Sequence, residues 1–273
     1  MFNFISKNIK HQLIQLPAAR FVAGFKPLNA LLWRYPVKLL YDPLSACIQV
    51  DDGAEKFWFC RNPRFRRYTE GVDRFLGKLA AQYMLDGIQI RPGDWVIDCG
   101  ANVGEVSSWL LRQQPDLNIL AIEPETLEAN CADRNIFGGQ PRTIRKVLWN
   151  EDTVLKFYSC AETADSSVFK IDQYQRVTEV QAIRLDSLLA SVKPPRIRLF
   201  KLEAEGAEPE ILEGAQEWLS RIDYIAADLG PERGLKQEQT ATPVINYLLA
   251  RGFDLLDMRF DRVVCLFKNR AVP

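Results

Sequence analysis

The chain has 273 residues and 47% hydrophobic content, enough to bury the core of one large domain or of one domain with an extension. Lys plus Arg and Asp plus Glu both number 35, so the net charge is zero and the basic excess of a nucleic-acid-binding protein is absent. Six scattered cysteines without a Cys-x-x-Cys pair, no apolar run of ~18 residues and no evident signal peptide favour a cytoplasmic protein with reduced thiols.

Residues 1–41 form a basic segment that the neutral total conceals. The segment holds six lysines and arginines and no acid, and Ile5, Ile9, Leu13 and Leu16 recur at helical spacing. Two interpretations stay open. The helix is either a surface that touches anionic lipid or a partner enzyme, or it packs on the rest of the chain or on a second copy of it.

A small antiparallel unit is predicted for residues 42–62, with short strands at 48–50 and 57–59. Together with the basic segment it makes residues 1–62 an extension, and the remaining residues 63–273 form the main domain.

A strand, a glycine-rich turn and a helix follow one another over residues 93–114. Trp95–Ile97 is a short apolar run typical of a buried parallel strand, and Glu105–Gln114 predicts a helix. Gly100 and Gly104 allow positive φ angles and let a ligand approach bare backbone. The sequence therefore predicts a nucleotide-cofactor site at this turn.

Charge and spacing at the turn favour S-adenosylmethionine over a dinucleotide. The spacing Gly100-x-x-x-Gly104 departs from the Gly-x-Gly-x-x-Gly fingerprint. Asp98 ends the strand, where a carboxylate would repel a pyrophosphate and attract a cofactor that carries an ammonium and a sulfonium. Glu123, after the apolar run 117–122, is placed to bind ribose hydroxyls in either cofactor class. The structural alternative is an ordinary loop with Asp98 as a helix cap.

Further elements continue the alternation of strands and helices. A helix at 126–135 precedes a third strand at Thr143–Leu148, and Val154–Tyr158 and Thr178–Ile183 predict strands of an insertion. The polar stretch Ala161–Asp172 between them predicts a mobile loop over the site.

Two acids follow the fourth strand, Ile197–Leu202. Glu203 and Glu205 stand two residues apart, so they point the same way if the strand continues. Because ligands bind beyond the carboxyl ends of parallel strands, we expect these acids to converge with Asp98 and Glu123 on one crevice.

The last elements complete the predicted sheet. The sequence predicts a helix at Pro209–Leu219, a fifth strand at Ile222–Asp228 whose terminal Asp228 is a candidate substrate contact, a helix at Thr242–Arg251 and a closing hairpin over residues 253–267. This order predicts a three-layer α/β sandwich with a seven-stranded, mainly parallel sheet and an antiparallel last strand.

Three stretches together resemble the FkbM family of S-adenosylmethionine-dependent O-methyltransferases: Val96–Glu105, Ala121–Pro124 and Lys201–Glu208. The resemblance spans roughly residues 66 to 267. One position departs from the family pattern Lys-x-Asp-x-Glu-Gly, because Glu203 replaces the aspartate.

The resemblance implies a Rossmann-like class I methyltransferase fold and methyl transfer to a hydroxyl of a sugar in a glycan, glycolipid or secondary metabolite. It implies cofactor binding by the turn residues Asp98, Gly100, Ala101, Asn102 and Gly104.

Family-like positions also imply contacts at the two ends of the cofactor. Tyr68 and Glu70 would lie near the methionine end, and Trp149 or Asn150 near the adenine. The alternatives are a packed Tyr68, a Glu70 that favours a following helix over 72–85, and a core tryptophan.

A base would assist the hydroxyl as its proton leaves. His11, the single histidine, lies far from the motif, so the base must be Asp, Glu, Lys or Tyr. Glu203 and Glu205 are the candidates, with Lys201 less favoured, and each is alternatively a ligand of a sugar hydroxyl or of a divalent ion. Two other classes stay open: a nicotinamide-dependent oxidoreductase or epimerase, and a non-catalytic methyltransferase-like partner protein.

Overall fold

A computed structural model describes residues 2–160 and 166–272. The N-terminal part comprises α1 (Phe2–Ile14), α2 (Ala18–Leu28), a π-helical turn (Asn29–Trp33) and an antiparallel sheet of β1 (Lys38–Asp42), β2 (Cys47–Asp51) and β3 (Lys56–Phe59).

The rest of the chain alternates helices and strands. In order these are α3 (Val72–Gln82), β4 (Trp95–Cys99), α4 (Glu105–Gln113), β5 (Asn118–Ile122), α5 (Thr126–Phe137), β6 (Val147–Leu148), β7 (Thr153–Ser159), β8 (Arg176–Ile183), α6 (Leu185–Val192), β9 (Ile197–Leu202), α7 (Glu208–Glu213), β10 (Ile222–Asp228), β11 (Pro231–Arg233), β12 (Glu238–Gln239), α8 (Ala241–Ala250), β13 (Phe253–Arg259) and β14 (Val264–Asn269). Short 3-10 helices cover Asn62–Tyr68, Leu85–Gly87 and Leu219–Arg221.

The central sheet has six strands in the order β13-β14-β10-β9-β4-β5. Strands β5, β4, β9 and β10 run parallel, and β14 runs antiparallel to both β10 and β13. The predicted class I methyltransferase fold with an antiparallel last strand is therefore confirmed.

The predicted seventh strand is reduced to a single bridge. Ile144 pairs in parallel with Ile122, but Val147–Leu148 then leaves the sheet edge and pairs with β8 in a separate three-stranded sheet, β6-β8-β7. The expectation of one continuous strand over 143–148 is corrected, because the insertion strands offer its second half a closer partner.

Alternating side chains divide the sheet into two packed faces. Val96 and Leu199 face the cluster that contains residues of α3 and α4, whereas Ile97 and Phe200 face the cluster that contains residues of α6, α7 and α8. Strand residues alternate between faces, so one sheet carries a helical layer on each side.

The N-terminal segment packs on the main domain through a third hydrophobic cluster, the N-terminal cluster, which also contains Phe57, Phe59, Phe65 and Tyr68. Leu13, Phe21 and Phe25 are buried in it. They pack there with Val103, which follows β4, and with Cys131 of α5. The buried side chains of the basic segment therefore pack on the rest of the chain, as one of the two interpretations expects. Contact with lipid, with another protein or with a second copy stays a prediction, as does the division at residue 62.

Within the described ranges, no helix is both long and apolar enough to span a bilayer. Two predicted helices end early: α3 stops at Gln82, and α7 stops at Glu213. A Cβ on Gly214 would lie 2.1 Å from the Trp149 carbonyl oxygen, so the chain turns there in close contact with the β6 end. Of the predicted loop over 161–172, residues 161–165 lie outside the described ranges.

Candidate active site

A cavity of about 190 Å³ lies at the carboxyl ends of β4, β5 and β9. This is the edge of an open α/β sheet where ligands bind. Its charged lining consists of Glu105, Glu123, Glu125, Glu128, Glu203, Glu205, Glu232, Arg64, Arg67, Lys146, Lys201 and Arg262.

The turn after β4 uses its backbone N–H groups internally. Gly100 and Ala101 both donate to the Ile122 carbonyl, at 3.1 and 3.0 Å. The Asn102 N–H donates to the Glu123 carboxylate at 2.8 Å. A phosphate site at a strand-to-helix turn needs N–H groups that face the ligand, so these three donors cannot cradle a pyrophosphate in this arrangement.

Both glycines of the turn are required by its geometry. Gly100 has φ +69°, and a Cβ there would lie 2.1 Å from the Glu203 carbonyl oxygen. Gly104 has φ +84°, and a Cβ there would lie 2.8 Å from Ile136 of α5. Gly100 lines the cavity, whereas Gly104 does not, so its role is the close packing of α4 on α5.

The carboxylate of Glu123 lines the cavity with its position fixed. The two oxygens accept the N–H groups of Asn102 and Glu125, each at 2.8 Å. Burial, and then the nearby charge of Glu128, raise the pKa of Glu123 to about 8. Donors such as ribose hydroxyls would compensate the ionised form in this buried place.

Asp98 does not line the cavity, and its direct contact with a cationic cofactor stays a prediction. Its side chain is fully buried below the turn, where one oxygen accepts the Ser107 hydroxyl at 2.6 Å. The other oxygen lies 3.4 Å from the Lys201 ammonium and accepts no hydrogen bond from a described residue. The Lys201 ammonium thus lies beside Asp98, where the sequence analysis expected the cationic cofactor.

Lys201 ties the end of β9 to the turn. Its ammonium donates to the carbonyls of Cys99 and Gly100 at 3.0 and 2.7 Å, and it lies 2.8 Å from Glu203. Burial acts to lower the pKa of Lys201, but the carboxylates of Glu203 and Asp98 outweigh it and raise the pKa above its ordinary value. A raised pKa keeps Lys201 protonated, which does not favour its predicted role as a base.

Glu203 is the anion of the same network. It pairs with Lys201 at 2.8 Å and with Arg262 at 3.1 Å. Burial acts to raise its pKa, but these two cations prevail and lower the pKa to about 2. Such a carboxylate accepts a proton poorly at neutral pH, so Glu203 is better suited to binding than to general base catalysis.

Glu205, the other predicted base, lines the cavity from a left-handed position with φ +50°. Its carbonyl accepts the Ser167 hydroxyl at 2.9 Å, which joins the end of β9 to the segment after β7.

The structure moves the predicted methionine-end contacts out of the cavity. Tyr68 is fully buried against Phe57 and Phe59, and its hydroxyl donates to Glu105 at 2.7 Å. Glu70 is 61% exposed and pairs with Lys78 at 3.1 Å. Neither residue lines the cavity, and their contacts with the methionine end stay predictions. The 3-10 helix Asn62–Tyr68 directs Tyr68 into the N-terminal cluster.

Two arginines of that 3-10 helix line the cavity in their place. Arg64 is 9% exposed and donates to Asn102 at 2.8 Å, and Arg67 lies 3.4 Å from Glu105. They present positive charge beside the turn, which suits an anionic ligand group such as an α-carboxylate. No sequence pattern singled them out, since a short 3-10 helix has no marked periodicity.

The apolar wall differs from the predicted adenine contact. Trp149 lies outside the cavity with its ring 6.0 Å from Phe169, and Asn150 donates to Glu213. The chain has left the sheet edge at this point, so the residues that line the wall come earlier or from the insertion. They are Ile122, Val147, Leu148, Phe157 and Val168.

Two charged residues beyond the predicted set also line the cavity, namely Glu232 and Arg262. Glu232 follows the β10 end at Asp228 by four residues, so the strand-end rule could have found it. Arg262 comes from the turn of the β13–β14 hairpin, which only tertiary structure brings here. Among residues 2–160 and 166–272, no three potential ligands are placed to hold a metal ion.

Comparisons with known proteins agree on one class of enzyme. The family model described as the methyltransferase FkbM domain matches residues 98–255, more than half of the chain. The 31-O-demethyl-FK506 methyltransferase FkbM of Streptomyces tacrolimicus is 23% identical over 64% of this chain and 78% of its own length. The methyltransferase sdnD of Sordaria araneosa is 25% identical over 65% and 80%.

Solved structures show more distant likenesses. A methyltransferase FkbM from Methylobacillus flagellatus KT superposes with a TM-score of 0.48 at 15% identity, over 72% of this chain and 50% of that chain. The N-terminal domain of human METTL16 superposes with a TM-score of 0.39 at 14% identity, over 98% and 93%.

Proposed function

Because the chain belongs to the FkbM methyltransferase family, we propose that it transfers the methyl group of S-adenosylmethionine to a hydroxyl oxygen, on a sugar of a glycan, glycolipid or secondary metabolite. The proposal has three parts, which are the cofactor, the acceptor atom and the class of acceptor.

The residues of the cavity suit S-adenosylmethionine. Glu123 is positioned for ribose hydroxyls, the apolar wall of β6 and β7 suits an adenine, and Arg64 with Arg67 suits the methionine carboxylate. When bound, this cofactor supplies an electrophilic methyl group on a sulfonium. Its ammonium would meet the acids of the lining, among which Glu105 lies closest to the two arginines.

The observation that carries the choice of cofactor is the turn after β4. Its N–H groups at Gly100, Ala101 and Asn102 are engaged by β5, and a carboxylate stands where a dinucleotide would need donors. This arrangement favours a nucleoside without phosphate over a nicotinamide dinucleotide.

The contribution of the protein to such a reaction is mainly positioning. A displacement at a methyl carbon requires the attacking oxygen, the carbon and the sulfur to lie in line, so holding two reactants in one cavity removes most of the entropic barrier. The acid-rich and arginine-containing far side of the cavity offers both acceptors and donors to a polyhydroxyl compound.

The acceptor atom has support from one relative. The Streptomyces tacrolimicus protein is named as a methyltransferase of 31-O-demethyl-FK506, which specifies an oxygen. The sugar acceptor rests on the family resemblance alone.

Calorimetric titration with S-adenosylmethionine and with NAD separates the two cofactor classes. We expect binding of the first and none of the second. The matched variants are Glu123→Gln, with S-adenosylmethionine affinity reduced about tenfold to a hundredfold because an amide replaces the carboxyl group positioned for the ribose hydroxyls, and Glu238→Gln, an exposed control. Binding of NAD alone would reject the cofactor assignment.

Transfer itself is tested with S-adenosylmethionine labelled on the methyl group and a panel of glycans, glycolipids and metabolites with free hydroxyls. We expect label in an alkali-stable methyl ether together with S-adenosylhomocysteine. Cofactor binding without transfer to any panel member would favour the non-catalytic partner protein.

A further inference from the structure

A second group of charged side chains gathers beyond the β10 end. Asp228 ends β10, Glu232 lies in the following strand β11, and Arg262 comes from the turn between β13 and β14. Glu232 and Arg262 line the cavity together with Glu203. Three distant parts of the chain thus place four charges at one side of the cavity.

One arginine holds two of the three carboxyl groups. The same Arg262 nitrogen donates to Glu203 at 3.1 Å and to Asp228. This leaves Glu232, whose carboxyl group makes no hydrogen bond or ion pair that the structure records for residues 2–160 and 166–272. Glu232 is therefore the carboxyl group of this set that has capacity left for a ligand.

Asp228 supplies an independent sign of a missing partner. It is 1% exposed, and its second oxygen is buried without a hydrogen bond of good geometry from a described residue, while the nearby Gly230 N–H acts to lower its pKa. This oxygen and a Glu232 oxygen both lie near Gly230, because a Cβ there would stand 3.6 Å from each of them. A buried acceptor without a donor costs free energy, a cost that proteins retain mainly at functional sites.

The three carboxyl groups have different pKa values. Burial, and then the charges of Asp228 and Glu203, raise the pKa of Glu232 to about 8. Burial raises the pKa of Asp228 to about 6 as well, whereas the cations beside Glu203 hold its pKa at about 2 despite burial. Glu232 is the member of the set that exchanges a proton near neutral pH, as a general base requires.

We propose that Glu232 and Arg262, the latter held by the buried Asp228, form the subsite for the acceptor hydroxyl, and that the Glu232 carboxylate takes the hydroxyl proton. This inference rests on the proposed function and assigns the base to a residue outside the predicted set. Arg262 is a positioning residue, since it fixes Glu203 and Asp228 and leaves Glu232 to the ligand.

The step balances in charge and atoms. As the acceptor oxygen forms its bond to the methyl carbon, the carbon–sulfur bond breaks and its electron pair stays on sulfur, which becomes neutral. The hydroxyl proton passes to Glu232, which changes from carboxylate to carboxylic acid and later loses the proton to water. One positive and one negative charge disappear together, so the buried site ends without net change.

The test uses binding and needs no acceptor. S-adenosylmethionine and S-adenosylhomocysteine differ by the methyl group and the sulfonium charge, so the ratio of their affinities reports charges near the sulfur and cancels contacts to ribose and adenine. In the wild type we expect this ratio to rise about tenfold between about pH 6 and about pH 9, as Glu232 ionises beside the sulfonium.

The variant Glu232→Gln should give a ratio that changes by less than about twofold over the same range, with affinity for S-adenosylhomocysteine retained as evidence of folding. Glu232→Asp should restore the slope, and the control Glu238→Gln, on the neighbouring strand β12 and 60% exposed, should keep it. A flat ratio in the wild type, or an undiminished slope in Glu232→Gln, would overturn the subsite assignment. Absence of S-adenosylmethionine binding in the wild type would instead reject the proposed function.

Discussion

The N-terminal cluster and the cavity are both largely buried, but they are built on opposite principles. In the cluster, Phe21, Phe25 and Phe65 pack with ring centroids 5.4 to 6.1 Å apart. In the cavity region, the buried carboxylates Asp98 and Asp228 each leave one oxygen without a hydrogen bond from a described residue.

The difference separates residues that stabilise the fold from residues that cost stability. Aromatic packing lowers the free energy of the folded chain, whereas incompletely compensated buried charge raises it. Proteins retain such charge mainly where binding or catalysis needs it. Substitutions in the two regions should therefore have different signatures, stability alone in the cluster and stability opposed to binding in the cavity.

Gly100→Ala should have the largest effect, because it damages both fold and site. The new Cβ would stand 2.1 Å from the Glu203 carbonyl oxygen at a φ of +69°. Overpacking and left-handed strain together predict a loss of about 3 to 5 kcal/mol in the free energy of unfolding, and no S-adenosylmethionine binding. Chemical denaturation and calorimetry measure the two. Gly87→Ala, which meets nothing within 4 Å, is the control and should stay close to the wild type.

Phe25→Ala should destabilise without touching the site. The ring is 1% exposed, so its removal leaves a cavity worth about 3 to 4 kcal/mol of unfolding free energy. The affinity of the folded protein for S-adenosylmethionine should be unchanged below the melting temperature. Leu44→Ala, at a position 96% exposed, is the matched control. A large loss of affinity in Phe25→Ala would show that the cluster and the cavity are coupled.

Glu123 extends the comparison of the two regions to the pH dependence of the free energy of unfolding. Its pKa of about 8 lies above the ordinary 4.5, so the folded chain holds this proton more tightly than the unfolded chain. Its contribution to stability is present below about pH 4.5 and is lost as the pH rises through about 8. Ligand-free Glu123→Gln should accordingly gain about 2 kcal/mol or more relative to the wild type between about pH 5 and about pH 8.5. Denaturation at several pH values measures this gain, and a pH-independent difference would contradict it.

Glu70→Gln should have the smallest effect. The side chain is 61% exposed, and its pairs with Arg74 and Lys78 lie on the surface. Solvent screens such exposed pairs, so stability and cofactor affinity should both stay near the wild type. A tenfold loss of affinity would restore Glu70 to the site from which the structure removes it.

The strands that position the site can be predicted from the sequence better than the ion pairs within it. The strand ends at Asp98, Glu123 and Glu203 follow from apolar runs and the parallel order, and the structure places all three at one edge of the sheet. Which of them faces the ligand depends on Lys201, whose capture of Asp98 is a tertiary contact with no signature along the chain.

The positions of Tyr68 and Trp149 outside the cavity have a related cause. Tyr68 ends a short 3-10 helix, and Trp149 follows β6, which pairs outside the central sheet. Local propensity does not fix which side such segments present, since packing against the aromatic cluster and the insertion decides it.

The most direct test of the account is a crystal structure of the wild-type chain with S-adenosylmethionine. We predict the adenosyl group beside Gly100 to Asn102, with the ribose hydroxyls on Glu123 and the sulfonium on the side of Glu232. A cofactor bound elsewhere, or an empty cavity at saturating cofactor, would contradict the assignment of the site.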